Sequence, residues 1–295
     1  MHKYLRAIGF SKFESRRKLK ELLTSVVINA TSRAYTTSEE DIMLGEFCRD
    51  FAFNMGIAVC GEFDEENDDK FIYDYYYPYL RGTGITTTED VSVERHAEKE
   101  SYAGVCDDIK VGVSLIFYLQ NRIPYIKAQN QGRLPIRGTT LTLSALSLKG
   151  TIMMPIQKDE YQKRKIQKES RNRTNLIAAA RRGDEDALET LTLEDMDMYS
   201  TISKKIQKED IFSLVDTYCM PYGVECDQYS ILGEITECRT VKNTFTGEEV
   251  YQMTVYCNEL TFDLCINTAD LYGEPQAGRR FKGIIWLQGF INFPE

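Results

Sequence analysis

Histidine is almost missing from this chain. Only two occur in 295 residues, His2 and His96, so one copy cannot assemble a metal centre built on several imidazoles. The eight cysteines include no close Cys-x-x-Cys pair, the spacing that lets neighbouring thiolates grip one ion; Cys219, Cys226, Cys238, Cys257 and Cys265 read as structural thiols instead. No long apolar run occurs either. The most apolar stretch, Val111 to Leu119, is too short to cross a bilayer as a helix, and Met1 to Phe10 lacks the apolar core of an export signal. The expectation is a cytoplasmic chain with free thiols and no membrane partner. Phosphate-binding loops are missing too: no Gly is followed at the Walker distance by Gly, Lys and a hydroxyl residue, and Gly82, Thr83 and Gly84 lack the third glycine of a dinucleotide fingerprint. The acidic stretch Asp64 to Asp69 has Asp69 where a calcium loop needs glycine and Tyr75 where it needs glutamate. No metal and no cofactor is expected.

What the chain does have is an ordinary globular composition, 42% apolar and 27% charged, in a length that allows about two domains. The formal charge of −9 is unevenly spread. Residues 1–33 carry eight Lys or Arg against two acids, and residues 157–182 carry nine against three. Residues 39–74 hold twelve acids against two bases, and residues 183–197 hold seven acids and no base. Such blocks read first as solvated faces that attract one another within the fold; the two basic segments also offer a route to RNA or single-stranded DNA.

Periodicity divides the chain in three. Ser11 and Glu14 have capping-box spacing ahead of Leu19, Leu22, Leu23, Val26 and Val27, the stripe of an amphipathic helix. A period of two then predicts strands over Gly45–Phe53, Gly56–Phe63, Phe71–Leu80, Val91–Ala97, Lys110–Leu119 and Thr139–Pro155. From Lys158 the pattern is helical, with Gly183 as a stop and Asp184 as a cap. From Tyr229 to Phe293 alternation returns. A tight hairpin is predicted at Asn258 and Glu259, a turn over Asn243 to Gly247 and a bend at Gly233. The expected fold is α+β: an antiparallel β-rich domain with its helix over 1–156, a helical connector over 157–222, and a small five-stranded OB-like barrel over 223–295, with Trp286 as its core anchor.

Candidate sites are few. Cys106 with His96 and Asp107 is the one grouping from which a nucleophile, a base and an orienting acid could be drawn, a thiol-dependent enzyme being one alternative. Cys265 shares its strand face with Asp263 and Asn267, a setting for a more reactive thiol, with nothing cationic nearby to lower its pKa. Tyr73, Tyr75, Tyr77 and Tyr79 fall on one face of a strand and could stack on a ligand. Arg279, Arg280 and Lys282, in the loop from Gly273 to Lys282, could gather at one mouth of the barrel. Residues 223–295 nonetheless carry eleven acids against five bases, which weighs against nucleic acid there.

Four phrases, Ser101 to Asn121, Leu176 to Asp197, Met220 to Ile235 and Gly273 to Gly289, resemble a domain of unknown function from anaerobic Gram-positive bacteria. The likeness spans nearly the whole chain. It implies a bacterial cytosolic protein and brings no activity, cofactor or catalytic residue. The reading that follows is a non-enzymatic interaction or adaptor protein that binds a protein partner through Arg279, Arg280 and Lys282 or through Tyr75 and Tyr77. The residues do not set an oligomeric state.

Overall fold

The computed structural model describes residues 1–13, 15–38, 41–64, 70–95, 101–108, 114–134, 137–156, 160–206, 211–224 and 226–294. A short 3-10 helix (Lys3–Ile8) leads to α1 (Arg16–Ile28). Four strands follow: β1 (Ser32–Thr37), β2 (Met43–Ala52), β3 (Met55–Asp64) and β4 (Lys70–Leu80). Next come β5 (Val91–Arg95), β6 (Tyr102–Cys106), β7 (Leu115–Leu119), α2 (Arg122–Asn130) and the long β8 (Thr140–Met153). Helices α3 (Glu160–Arg181), α4 (Glu185–Ile206) and α5 (Ile211–Leu214) precede β9 (Tyr218–Pro221), β10 (Gln228–Lys242), β11 (Glu249–Cys257), β12 (Leu260–Asn267), β13 (Leu271–Tyr272) and β14 (Arg280–Asn292). The class is α+β, as the alternating and helical periods predict.

Strands β1 to β4 form an antiparallel sheet in chain order. One of its faces is covered by α1, whose Leu22, Leu23 and Val26 are buried. The helix does not start at the expected capping box. Its N-cap is Ser15, whose hydroxyl accepts from the Lys18 amide. Ser11 is drawn away, donating its amide and hydroxyl to the Glu248 carboxylate, and Glu14 lies outside the described residues.

The second sheet closes on itself. β8, β12, β11, β10 and β14 form a ring completed by the β14–β8 pairing, and β12–β8 is its one parallel pair. These neighbours and directions are those of an OB-like barrel. The chain order differs: the strand parallel to the end of the meander comes first, as β8, rather than last. The expectation of five barrel strands after Tyr229 is corrected to this extent, because β8 supplies one from ahead of the helices. The β11–β12 hairpin turns at Asn258 and Glu259 with φ of 48° and 63°, the left-handed pair that a two-residue turn matching strand twist requires. Asn243 organises the β10–β11 turn by accepting from the amides of Phe245 and Thr246.

Inside the ring, Leu143, Ile231, Val255, Leu264, Phe281 and Leu287 are buried. The Phe281 ring lies over the glycine pair Gly150 and Gly283, which face each other across β8 and β14; a Cβ on Gly150 would sit 2.3 Å from it. Outside the ring, β7 pairs with the end of β14, and β6 and β5 extend that sheet.

The first sheet is seated on the barrel. Phe53, in the β2–β3 turn, accepts from Gln252 of β11 at 2.8 Å, and Asp263 of β12 accepts from the Thr83 amide and hydroxyl at 2.7 Å each. This covers the outer face of β10–β11–β12, the side on which OB-folds commonly take oligonucleotides, and leaves a crevice of about 160 Å³. Arg280 holds the helical excursion. Its guanidinium donates to the carbonyls of Met154, where the chain leaves the barrel, and of Phe212 and Val215, where it returns, at 3.0, 2.8 and 2.9 Å.

Candidate functional site

Alternation that sends Phe281 and Ile285 inward sends their neighbours to the outside of the barrel. Ser230 of β10, Ile284 of β14 and Lys149 of β8 thus make one row across three strands, with Lys282 paired to Thr151 beside it. The 3-10 helix lies along one side of this surface, and Tyr222, after β9, stands near its edge. Together they form a groove of about 550 Å³. Its floor is largely apolar, from Ile284, Leu148 and Tyr4. Three ammonium groups, Lys3, Lys149 and Lys282, surround it, and no carboxylate lines it among the described residues.

Aromatic rings hold two of those cations in place. The Lys3 ammonium lies 5.2 Å from the Tyr4 ring centroid and that of Lys282 lies 3.8 Å from the Phe212 ring, an electrostatic attraction to the ring face worth about 0.5–1 kcal/mol at exposed sites. Tyr4 is itself stacked on Trp286, with centroids 5.1 Å apart, and the indole donates to Asp227 at 2.6 Å. One end of the groove is therefore rigid. Such a surface buries an apolar body while pairing its lysines with carboxylates or phosphates along the rim.

The residues singled out from the sequence fare differently. Lys282 belongs to the groove. Arg280 is buried and spent on its three carbonyls, and Arg279 turns back on its own loop to the Glu274 carbonyl at 2.7 Å, so these three residues do not form a common basic mouth. Tyr75 and Tyr77 are not a stacking surface. A bulge opposite Cys60 and Gly61 takes Tyr73 off their face, Tyr77 is 3% exposed, and Tyr75 lies 5.2 Å from the Arg122 guanidinium.

Those tyrosines instead enclose a buried charge. Glu46 of β2 faces Arg122, the first residue of α2, at 3.8 Å, with the two side chains 8% and 2% exposed. Burial raises the Glu46 carboxyl above its usual range, and the Arg122 charge pulls it partly back. Tyr77 and Cys60 direct their hydroxyl and thiol at the same carboxylate. The cluster is sealed between the first sheet, β7 and α2, and acts as a polar seam.

Cys106 is fully buried, and burial, helped by the carboxylates of Asp108 and Glu89, pushes its thiol up to about 12. It is therefore protonated at neutral pH, the opposite of an activated nucleophile. His96 lies outside the described residues. Cys265 is buried, and burial raises its thiol as well, so it is not the more reactive thiol its polar neighbours in the strand suggest. All eight cysteines are free. Among the described residues no cluster of His, Cys, Asp and Glu is placed to hold a metal ion, and no helix is long and apolar enough to cross a membrane.

Lys3, Tyr4 and Lys149 were not singled out from the sequence. They come from segments far apart in the chain, and the one local sign was a lysine within the apolar run Leu141 to Met154.

A family model described as "Domain of unknown function, E. rectale Gene description (DUF3881)" matches residues 5–289. No curated protein and no solved structure matches.

Proposed function

The chain belongs to that family of unknown function, and from this premise we propose that it is a non-catalytic binding protein whose groove captures an acidic, apolar-studded segment of a partner protein in a reducing cytoplasm. The observation that carries the reading is the groove's composition: Lys3, Lys149 and Lys282 around an apolar floor, with no lining carboxylate among the described residues. An acidic segment with interspersed Leu, Ile or Phe satisfies both halves at once, its side chains on the floor and its carboxylates on the rim.

Single-stranded nucleic acid fits less well. Stacking successive bases needs several open aromatic faces, yet Tyr4 is stacked on Trp286, Tyr222 is the one other ring lining the groove among the described residues, and the usual OB face lies under Phe53. A formal charge of −9 repels a polyanion at long range.

Selection of a random displayed peptide library on the immobilised full chain tests this. Enriched sequences are expected to combine Asp or Glu with large apolar residues and to quench or shift the fluorescence of Trp286, the sole tryptophan. Lys149→Glu and Lys282→Glu are each expected to weaken binding about tenfold, or about 1.4 kcal/mol. Enrichment of basic peptides, or binding indifferent to both reversals, would overturn the proposal, as would lysine-dependent retention of an oligonucleotide in preference to every acidic peptide.

A further inference from the structure

Two strands share one edge of β10. Because β14 takes the other edge from Gln228 to Glu234, β11, opposite Glu234 to Lys242, and β9, opposite Tyr229 to Leu232, lie end to end. The end of β11 therefore meets the start of β9 at a seam. Thr217, just before β9, donates its hydroxyl to the Asn258 side-chain carbonyl at 3.0 Å and accepts from the Asn258 amide at 3.3 Å. These two bonds hold the seam closed beside the β11–β12 turn.

Two cysteines meet across it. Cys219 lies opposite Ile231, and Cys257 lies beside Gly233, whose added Cβ would stand 3.1 Å from that of Cys257. Positions two apart along a strand share a face and are about 6.6 Å apart, within the span that a disulfide bridges. The Cys257 thiol is aimed into the seam: its acceptors are the carbonyls of Tyr218 and Leu232, at 3.1 and 3.4 Å, and the Cys219 sulfur. The pair is unequal. Cys257 is 1% exposed, whereas Cys219 is half-buried and reaches solvent. The hydrogen bond from Cys257 lowers the pKa of the Cys219 thiol against the opposing effect of burial, and the same bond together with burial raises that of Cys257. Among the described residues no third His, Cys, Asp or Glu joins them in a group that could hold a metal ion.

We infer that Cys219 and Cys257 are a site of reversible oxidation, where a hydroperoxide converts the thiol pair to a disulfide that ties β9 to the end of β11. With hydrogen peroxide, the Cys219 thiolate attacks one oxygen: an S–O bond forms, the O–O bond breaks, and the leaving hydroxide takes up the proton that Cys219 gave away, as water. The Cys257 sulfur then attacks the Cys219 sulfenic acid. The S–S bond forms, the S–O bond breaks, and hydroxide leaves with the Cys257 proton as a second water. The two electrons lost by the thiols are the two that reduce the peroxide. Burial suits Cys257 to the second step, since it is shielded from the oxidant yet in contact with the sulfur it must reach. The bond fixes the strand on which the helical excursion rejoins the ring, and exchange with a small thiol releases it. This inference does not rest on the groove reading.

Peptide mapping of the full chain after brief exposure to hydrogen peroxide at neutral pH is the test, with the remaining thiols alkylated before digestion. The non-reduced digest should contain a peptide crosslinked through Cys219 and Cys257, and dithiothreitol should abolish it. Cys226→Ser, which removes the exposed cysteine of the β9–β10 turn, should crosslink as the wild type does. In Cys257→Ser the reaction should stop at the Cys219 sulfenic acid, captured by dimedone, and in Cys219→Ser the Cys257 thiol should survive intact; circular dichroism checks that both variants fold. A wild type in which dimedone captures Cys219 while Cys257 stays a thiol would refute the inference. So would a crosslink of Cys219 to Cys226 in place of Cys257, or survival of both thiols under peroxide that oxidises Cys226.

Discussion

Glu46 shows how one residue can couple stability to pH without any catalytic task. Its carboxyl is buried, and its folded-state pKa lies above the ordinary value because desolvation outweighs the attraction of Arg122. The native state therefore binds this proton more tightly than the unfolded chain does. Stability from this group is greatest below the ordinary carboxylate pKa and is lost as pH rises through the raised one. Urea titrations across that window should show stability falling with pH in the wild type and a flatter profile in Glu46→Gln; identical slopes would remove this account. Breaking the pair from the other side is costlier, because it strands a buried carboxyl. Arg122→Met should cost about 3–5 kcal/mol, with much of that recovered in Glu46→Leu/Arg122→Met.

At the scale of elements, the barrel wall depends on space rather than charge. Phe281 closes over Gly150 and Gly283, and a single added carbon at Gly150 would meet the ring far inside contact distance. Gly150→Ala should therefore destabilise the chain by about 1–3 kcal/mol, measured by thermal or chemical unfolding, and Phe281→Leu should relieve part of that cost; additive losses would argue against the close approach.

Local pattern made several elements readable. The α1 stripe, β2, β3, β4 and the β11–β12 hairpin all follow from alternation, helical spacing or the Asn258–Glu259 turn. β1 was missed because Ser32 to Thr37 is mostly exposed at a sheet edge and so carries little apolar alternation. The bulge in β4 opposite Cys60 and Gly61, where Asp74 is the extra residue, is not legible because a one-residue register shift is invisible until a partner strand is known. Ring closure through β8 and the gathering of Lys3, Lys149 and Lys282 join segments more than a hundred residues apart, and composition holds no trace of such pairings. Burial of Tyr77 and Arg280 was hidden for a related reason: each is satisfied by groups distant in sequence.

Taken whole, the molecule is built as one cooperative body. Leu146, Val250, Cys265 and Trp286 of the barrel share a continuous core with Met55, Ile57 and Val59 of the first sheet and with Leu22 and Val26 of α1. Gln120 and Gln288 bridge the same boundary, Gln288 donating to the Pro78 carbonyl at 2.9 Å. Denaturant unfolding followed by Trp286 fluorescence, which reports the shared core between the barrel and the first sheet, and by far-ultraviolet circular dichroism should give coincident transitions. Separate midpoints would show that the two sheets unfold independently.

The three carbonyls gathered by Arg280 carry a topological consequence. Because Met154 and Val215 both reach one guanidinium, the two points where the polypeptide departs from and rejoins the ring are neighbours in space. The intervening helices are thus a detour with a closed mouth, and neither the winding of the ring nor the order of its strands depends on how far that detour travels.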